Sequence, residues 1–171
     1  MIATVAVGFF GKLPARGDFV RAGLSRRFTD RWDRWLQLVL PACRQSMGAD
    51  WDRIWHAAPA WRFALTGTTP AVGLFMPSID RAGRHFPLTI AAEGAVDGMP
   101  FLDAAEQAGR DAIGQEYAPD LLLARLRDLT PPPPAVPTGT AAVTRWWSAA
   151  GSALAFDGLP DAAALERMLD R

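Results

Sequence analysis

The chain has 171 residues, 18 Lys and Arg against 18 Asp and Glu for a formal net charge of zero, and 50% apolar content. One domain of this length buries about two thirds of the surface its unfolded chain would expose, and with this much apolar content and so little net charge it is not disordered. The neutral balance argues against nucleic acid or an anionic membrane as the main partner, because both attract a basic excess.

The first residues, MIATVAVGFFGKL, are apolar but have no basic leader and soon meet Lys12 and Pro14, so they read as a strand over 4–11 and not as a signal peptide. A loop follows, GKLPARGDF, punctuated by Gly11, Pro14 and Gly17. Phe28, Trp32, Trp35, Leu36, Val39, Leu40, Cys43 and Met47 then recur at spacings of three and four, which predicts one long amphipathic helix. Ser25 or Thr29 is placed to cap its start and Gly48 to end it. Pro41 inside that span removes a backbone hydrogen bond and is expected to kink or split the helix. A second, short helix is expected from Asp50 to about Ala57.

Residues 61–66, 72–76 and 86–91 read as strands separated by turns short enough for hairpins. Residues 101–117 read as a helix weakened by Gly109 and Gly114, and 121–129 as another. Pro131 to Pro134 form a stiff connector. Residues 141–147 and 153–156 are expected to form a hairpin about Gly151, and Asp161 to cap a terminal helix. Fewer than 40 residues follow the proline run, too few for a core of their own, so these strands are assigned to the same sheet and residues 1–171 to one domain.

The candidate chemistry is thin. Gly8, Gly11 and Lys12 follow a strand, but only two phenylalanines separate the glycines and Leu13 follows the lysine, so the phosphate-loop pattern fails. Cys43 falls on the apolar face of the long helix, where a thiol is inert. Nothing in the sequence places it beside His56 or His85, and one Cys with two His falls short of the roughly four ligands of a structural zinc site. No catalytic residue, cofactor site or metal site is expected. Among the seven tryptophans most should be core, with one or two exposed as binding anchors in the sharper reading. Trp32, Trp35 and Leu36 should share a buried face, with Asp33 and Arg34 outside. No apolar run approaches the ~20 residues of a membrane helix, and a cytoplasmic location is expected.

Two charged loops adjoin strand ends: KLPARGD (residues 12–18) and SIDRAGRH (residues 78–85). The cations other than Lys12 are all arginine, 17 in number, whose planar fork pairs bidentately with carboxylate or phosphate. The loops are expected to lie together at one end of the sheet. There they either form a polar patch that reads a partner or tie each other down through Arg–Asp pairing.

GFFGKLPARGDFV (residues 8–20), WDRWLQ (32–37), APAWRFAL (58–65) and MPSIDRAGRHFPLTI (76–90) resemble, in order and approximate spacing, the sequence blocks of the TagF family of type VI secretion-associated proteins. The resemblance implies an α/β fold, a mixed and largely antiparallel sheet flanked by helices on both faces, longin-like. It also implies a post-translational repressor of secretion-system assembly and not a catalyst. Such a repressor would work beside a kinase–phosphatase pathway and bind its forkhead-associated scaffold or another secretion component. The family supplies no catalytic residue to carry over. The partner-binding candidates are Arg16, Asp18, Asp80, Arg81 and Arg84. The alternative from another class is a small metal-dependent, phosphatase-like hydrolase that uses Asp18 and Asp80 as surface ligands.

Overall fold

A computed structural model describes residues 4–139 and 141–171. Seven strands form one sheet: β1 (Ala6–Gly11), β2 (Val20–Ala22), β3 (Trp61–Leu65), β4 (Ala71–Met76), β5 (Leu88–Glu93), β6 (Val143–Ser148) and β7 (Ala153–Asp157). Their spatial order is β2-β1-β5-β4-β3-β6-β7, and every neighbouring pair is antiparallel. The helices are α1 (Arg26–Met47), α2 (Trp51–Ala57), α3 (Met99–Gly114), α4 (Pro119–Arg127) and α5 (Ala162–Leu169).

Strand alternation sends side chains to two cores. Phe63 and Phe75 go to one face, with Trp32, Trp35 and Cys43 of α1, Trp55 of α2 and Leu165 of α5. Val72, Leu74 and Ile90 go to the other, with Leu102 and Ala105 of α3 and Leu122 of α4. Because helices cover both faces, β4 is buried at all six positions. Its near-continuous apolar run follows from that double burial.

The tryptophans are structural. Trp32, Trp35, Trp51, Trp55, Trp61 and Trp146 are buried and each indole N–H donates to an acceptor. Trp32 donates to Thr89 Oγ1 at 2.8 Å and Trp35 to the Pro160 carbonyl at 2.7 Å. Trp147 is half-buried against the second core. Most tryptophans are core, as expected, and none of the seven is exposed, so the sharper reading of an exposed anchor does not hold. A large ring with one N–H is held inside once that N–H has a partner.

Ser25 caps α1, its Oγ accepting from the Phe28 N–H, and Gly48 ends it. Pro41 does not split the helix. It lies on the solvent face with Gln37, whose carbonyl loses its intrahelical donor on the side of the helix open to solvent. The short edge strand β2 was not expected from the sequence. Gly109, read as a weakness in α3, is where that helix meets the sheet. A Cβ there would stand 2.6 Å from Met76 Sδ and 3.0 Å from Ile90 Cδ1. The segment after the proline run joins the sheet through β6, paired along β3 from Leu65 to Trp61. No helix among the described residues is long and apolar enough to cross a membrane.

Candidate functional site

The two charged loops meet at the end of the sheet where β1 and β4 finish. Gly11 opens the first loop at φ 139°, and a Cβ there would fall 1.9 Å from the Pro87 carbonyl oxygen, so only glycine lets the strands run this close. The second loop is pinned from beneath by α2. The Trp55 indole donates to the Ser78 carbonyl at 2.9 Å, and the Trp51 indole to His85 Nδ1 at 2.8 Å. Ser78 Oγ then donates to the Lys12 carbonyl at 2.9 Å, which fastens one loop to the other.

Asp80 is the centre of the junction. Its Oδ1 accepts from the backbone N–H groups of Ala82 and Arg84, both at 2.9 Å. Its Oδ2 accepts from Lys12 Nζ at 2.8 Å and Arg84 Nε at 2.7 Å. Burial alone would raise this carboxyl's pKa, but the hydrogen bonds from Lys12 and Arg84 outweigh it and hold the group down at about 2. Lys12 is itself buried, its ammonium 5.1 Å from the centroid of the Phe19 ring.

The arginines complete the cross-link. Arg84 Nη2 donates to the Gly17 carbonyl at 2.7 Å, the Arg81 backbone N–H to the Arg16 carbonyl at 2.8 Å, and Arg81 Nη2 to the Ala15 carbonyl. Arg16 Nη1 donates to that same Ala15 oxygen at 3.2 Å. Arg16, Asp18, Arg81 and Arg84 are exposed, while Asp80 is not. The structure thus brings the five candidates together but divides their roles. Asp80 and part of Arg84 hold the fold, and Arg16, Asp18 and Arg81 face solvent without a salt-bridge partner among the described residues.

This geometry corrects the reading of Asp80 as a surface metal ligand. Four donors already occupy its oxygens and two of them are cations, which repel a divalent ion. Asp18 stands exposed and belongs to no cluster of three potential metal donors among the described residues.

His56 and His85, which nothing in the sequence joins, lie together with ring centroids 5.3 Å apart. With Asp52 they make the one trio of potential metal donors among the described residues, all within 4.8 Å of one another. Proton bookkeeping argues against a metal there. The Trp51 indole can only donate, so His85 Nδ1 is the bare nitrogen and Nε2 carries the hydrogen. That Nε2 lies 3.0 Å from Asp52 Oδ1, off the axis of a good hydrogen bond. A metal on Nε2 would force the proton onto Nδ1, against the indole N–H. Burial lowers the His85 pKa, with Asp52 opposing and His56 and Arg44 adding to the fall. Cys43 is not part of that trio. Its thiol faces the Ala162 carbonyl and is pushed up to about 11, chiefly by burial and then by Glu166.

A groove of about 680 Å3 runs beside the junction, between the end of α2 and the C-terminal end of α3. Its lining includes Pro14, Trp55, His56, Ile79, Arg110 and Glu116. Arg110 is already paired with Glu106 at 2.6 Å. The sequence missed Phe19, which stacks on Phe10 at 6.1 Å between centroids, meets Phe86 edge-on at 4.8 Å, and is still 49% exposed. The signal for it was an aromatic residue beside charge in GDFVR.

Among solved structures, PA0076 from Pseudomonas aeruginosa PAO1 is similar to this chain at 29% identity and a TM-score of 0.77, over 95% of this chain and 93% of that one. No curated relative matches. A family model for the TagF N-terminal domain, type VI secretion system-associated, matches residues 8–129, a span that holds all five candidates, and the chain belongs to that family.

Proposed function

We propose that this protein is a non-catalytic, cytoplasmic regulator that represses type VI secretion-system assembly after translation by binding a secretion component, with the forkhead-associated scaffold as the expected partner. Family membership supports the secretion association. The observation that carries the binding mode is the loop junction, where two segments more than 60 residues apart are fastened by backbone and side-chain hydrogen bonds into one stiff, arginine-rich platform. Stiffness matters because a preordered surface loses less entropy on association. Catalysis finds no comparable support, since the conspicuous carboxylate is consumed by internal cations.

The test is to express the tagged chain in a bacterium with an active type VI system. Its partners are recovered by affinity purification, and export of a secreted marker is followed while the chain is overproduced. A secretion component recovered in stoichiometric amount, together with falling export, is expected. Unchanged export with no such component recovered would overturn the reading.

A further inference from the structure

Residues 12–21 and 80–84 hold five cations, Lys12, Arg16, Arg21, Arg81 and Arg84, against two carboxylates, in a chain whose formal net charge is zero. Lys12 and Arg84 neutralise Asp80. The guanidinium groups of Arg16 and Arg81, by contrast, converge on one acceptor, the Ala15 carbonyl, with no carboxylate in salt-bridge range of either among the described residues. Two like charges held at one point by the fold favour an anion that lies across both forks. Three residues after Arg16 stands half-exposed Phe19, braced by two other rings and by the Lys12 ammonium that pairs with Asp80. A rigid aromatic within a cationic field is the form of a binding anchor.

We infer that this platform takes an acidic segment of a protein partner, its Asp or Glu side chains on the Arg16–Arg81 pair and an apolar side chain against Phe19. The inference rests on the loop platform being the binding surface proposed above. Carboxylates are favoured over a phosphorylated side chain for two reasons on the molecule itself. The loop N–H groups of Ala82 and Arg84 that would cradle a phosphate already serve Asp80 Oδ1. Exposed Asp18 also sits between the cations in sequence and opposes a dianion more than a single carboxylate.

The probe is a fluorescein-labelled peptide of Glu, Asp and Gly around a central Phe-Leu, titrated with the full chain by fluorescence anisotropy. Three controls accompany it. They are the same peptide with Gln and Asn for the acids, a neutral peptide with one phosphoserine, and phosphatidylglycerol vesicles. The acidic peptide should bind more weakly as salt rises. The double variant Arg16→Ala/Arg81→Ala should weaken it at least about tenfold while thermal unfolding stays cooperative and shifts only slightly, and Phe19→Ala should weaken it separately. If the alanine pair unfolds, Arg16→Lys/Arg81→Lys keeps the charge and should still lose affinity, because an ammonium lacks the planar fork. Equal binding of the neutral peptide, or variants that bind like the parent, would overturn the inference. So would binding of only the phosphoserine peptide or only the vesicles. If the acidic peptide fails while a secretion component is still captured, the partner chemistry alone falls. If the peptide binds but no secretion component is captured, the regulatory reading falls instead.

Discussion

Asp80 and Lys12 form an ion pair shielded from water, and the two partners are not equivalent. Replacing Asp80 by Ala leaves the Lys12 ammonium, 8% exposed, without an anion. Loss of one partner of a buried pair costs about 3–5 kcal/mol. Lys12→Met removes one of four donors and leaves Asp80 with Arg84 and two backbone N–H groups, so it should cost under about 2 kcal/mol. Urea midpoints for the two variants test the asymmetry, and a lysine variant as damaged as the aspartate one refutes it. The pH dependence has a definite sign. The folded carboxyl sits at about 2 against an ordinary 3.8, so the unfolded chain binds the proton first. The pair's stabilisation is complete above 3.8 and lost as pH falls toward 2. His85 acts in a higher window. Its folded pKa is lowered from 6.5, chiefly by burial, so its stabilisation is full above 6.5 and declines as pH falls below that. Trp51→Phe removes the N–H that occupies Nδ1 and should move the His85 titration back up toward 6.5. NMR titration of the ring protons measures this, and an unmoved curve would show that the indole does not hold the tautomer.

At the level of elements, the periodic apolar face of α1 was plain in the sequence, and Trp32, Trp35 and Leu36 are buried while Arg34 is exposed. Trp35→Ala should cost about 3–5 kcal/mol, as for other buried aromatics, since it removes a packed ring and orphans the Pro160 carbonyl. A melting curve like the parent's would contradict that placement. Pro41→Ala should instead raise the melting temperature, because alanine restores the N–H on an exposed turn. Strands β3, β4, β6 and β7 were legible because Gly, Pro and aromatic residues mark their ends. β2 was not, because three residues just after the first charged loop are too few to carry a period. Gly109 shows a different limit: propensity sees a missing side chain, and only the packed sheet shows the Met76 sulfur that would have to move to admit one. The charged loops were legible as a pair, since both abut strands and both carry Arg and Asp. The burial of Asp80 was not, because it depends on a lysine 68 residues away. The same holds for His56 and His85, which meet only because α2 lies under the second loop.

Across the whole molecule, the family match ends at residue 129, inside the connection between α4 and β6, yet the fold does not divide there. β3 pairs with β6 along all five of its residues. The Trp61 indole donates to the Met168 carbonyl, the Trp35 indole to the Pro160 carbonyl and the Cys43 thiol to the Ala162 carbonyl, all three acceptors lying beyond the match. Leu165, Met168 and Leu169 of α5 fill the same core as α1. A chain cut after Leu129 would expose that apolar face, leave two indole N–H groups unpaired and turn β3 into an unprotected edge, a template for aggregation. The shortened protein should therefore lose cooperative thermal unfolding and elute as aggregate in size-exclusion chromatography, while the platform residues remain covalently present. If the cut chain instead melts cooperatively as a monomer, β6, β7 and α5 form a dispensable layer, and the loop platform stands on the first five strands alone.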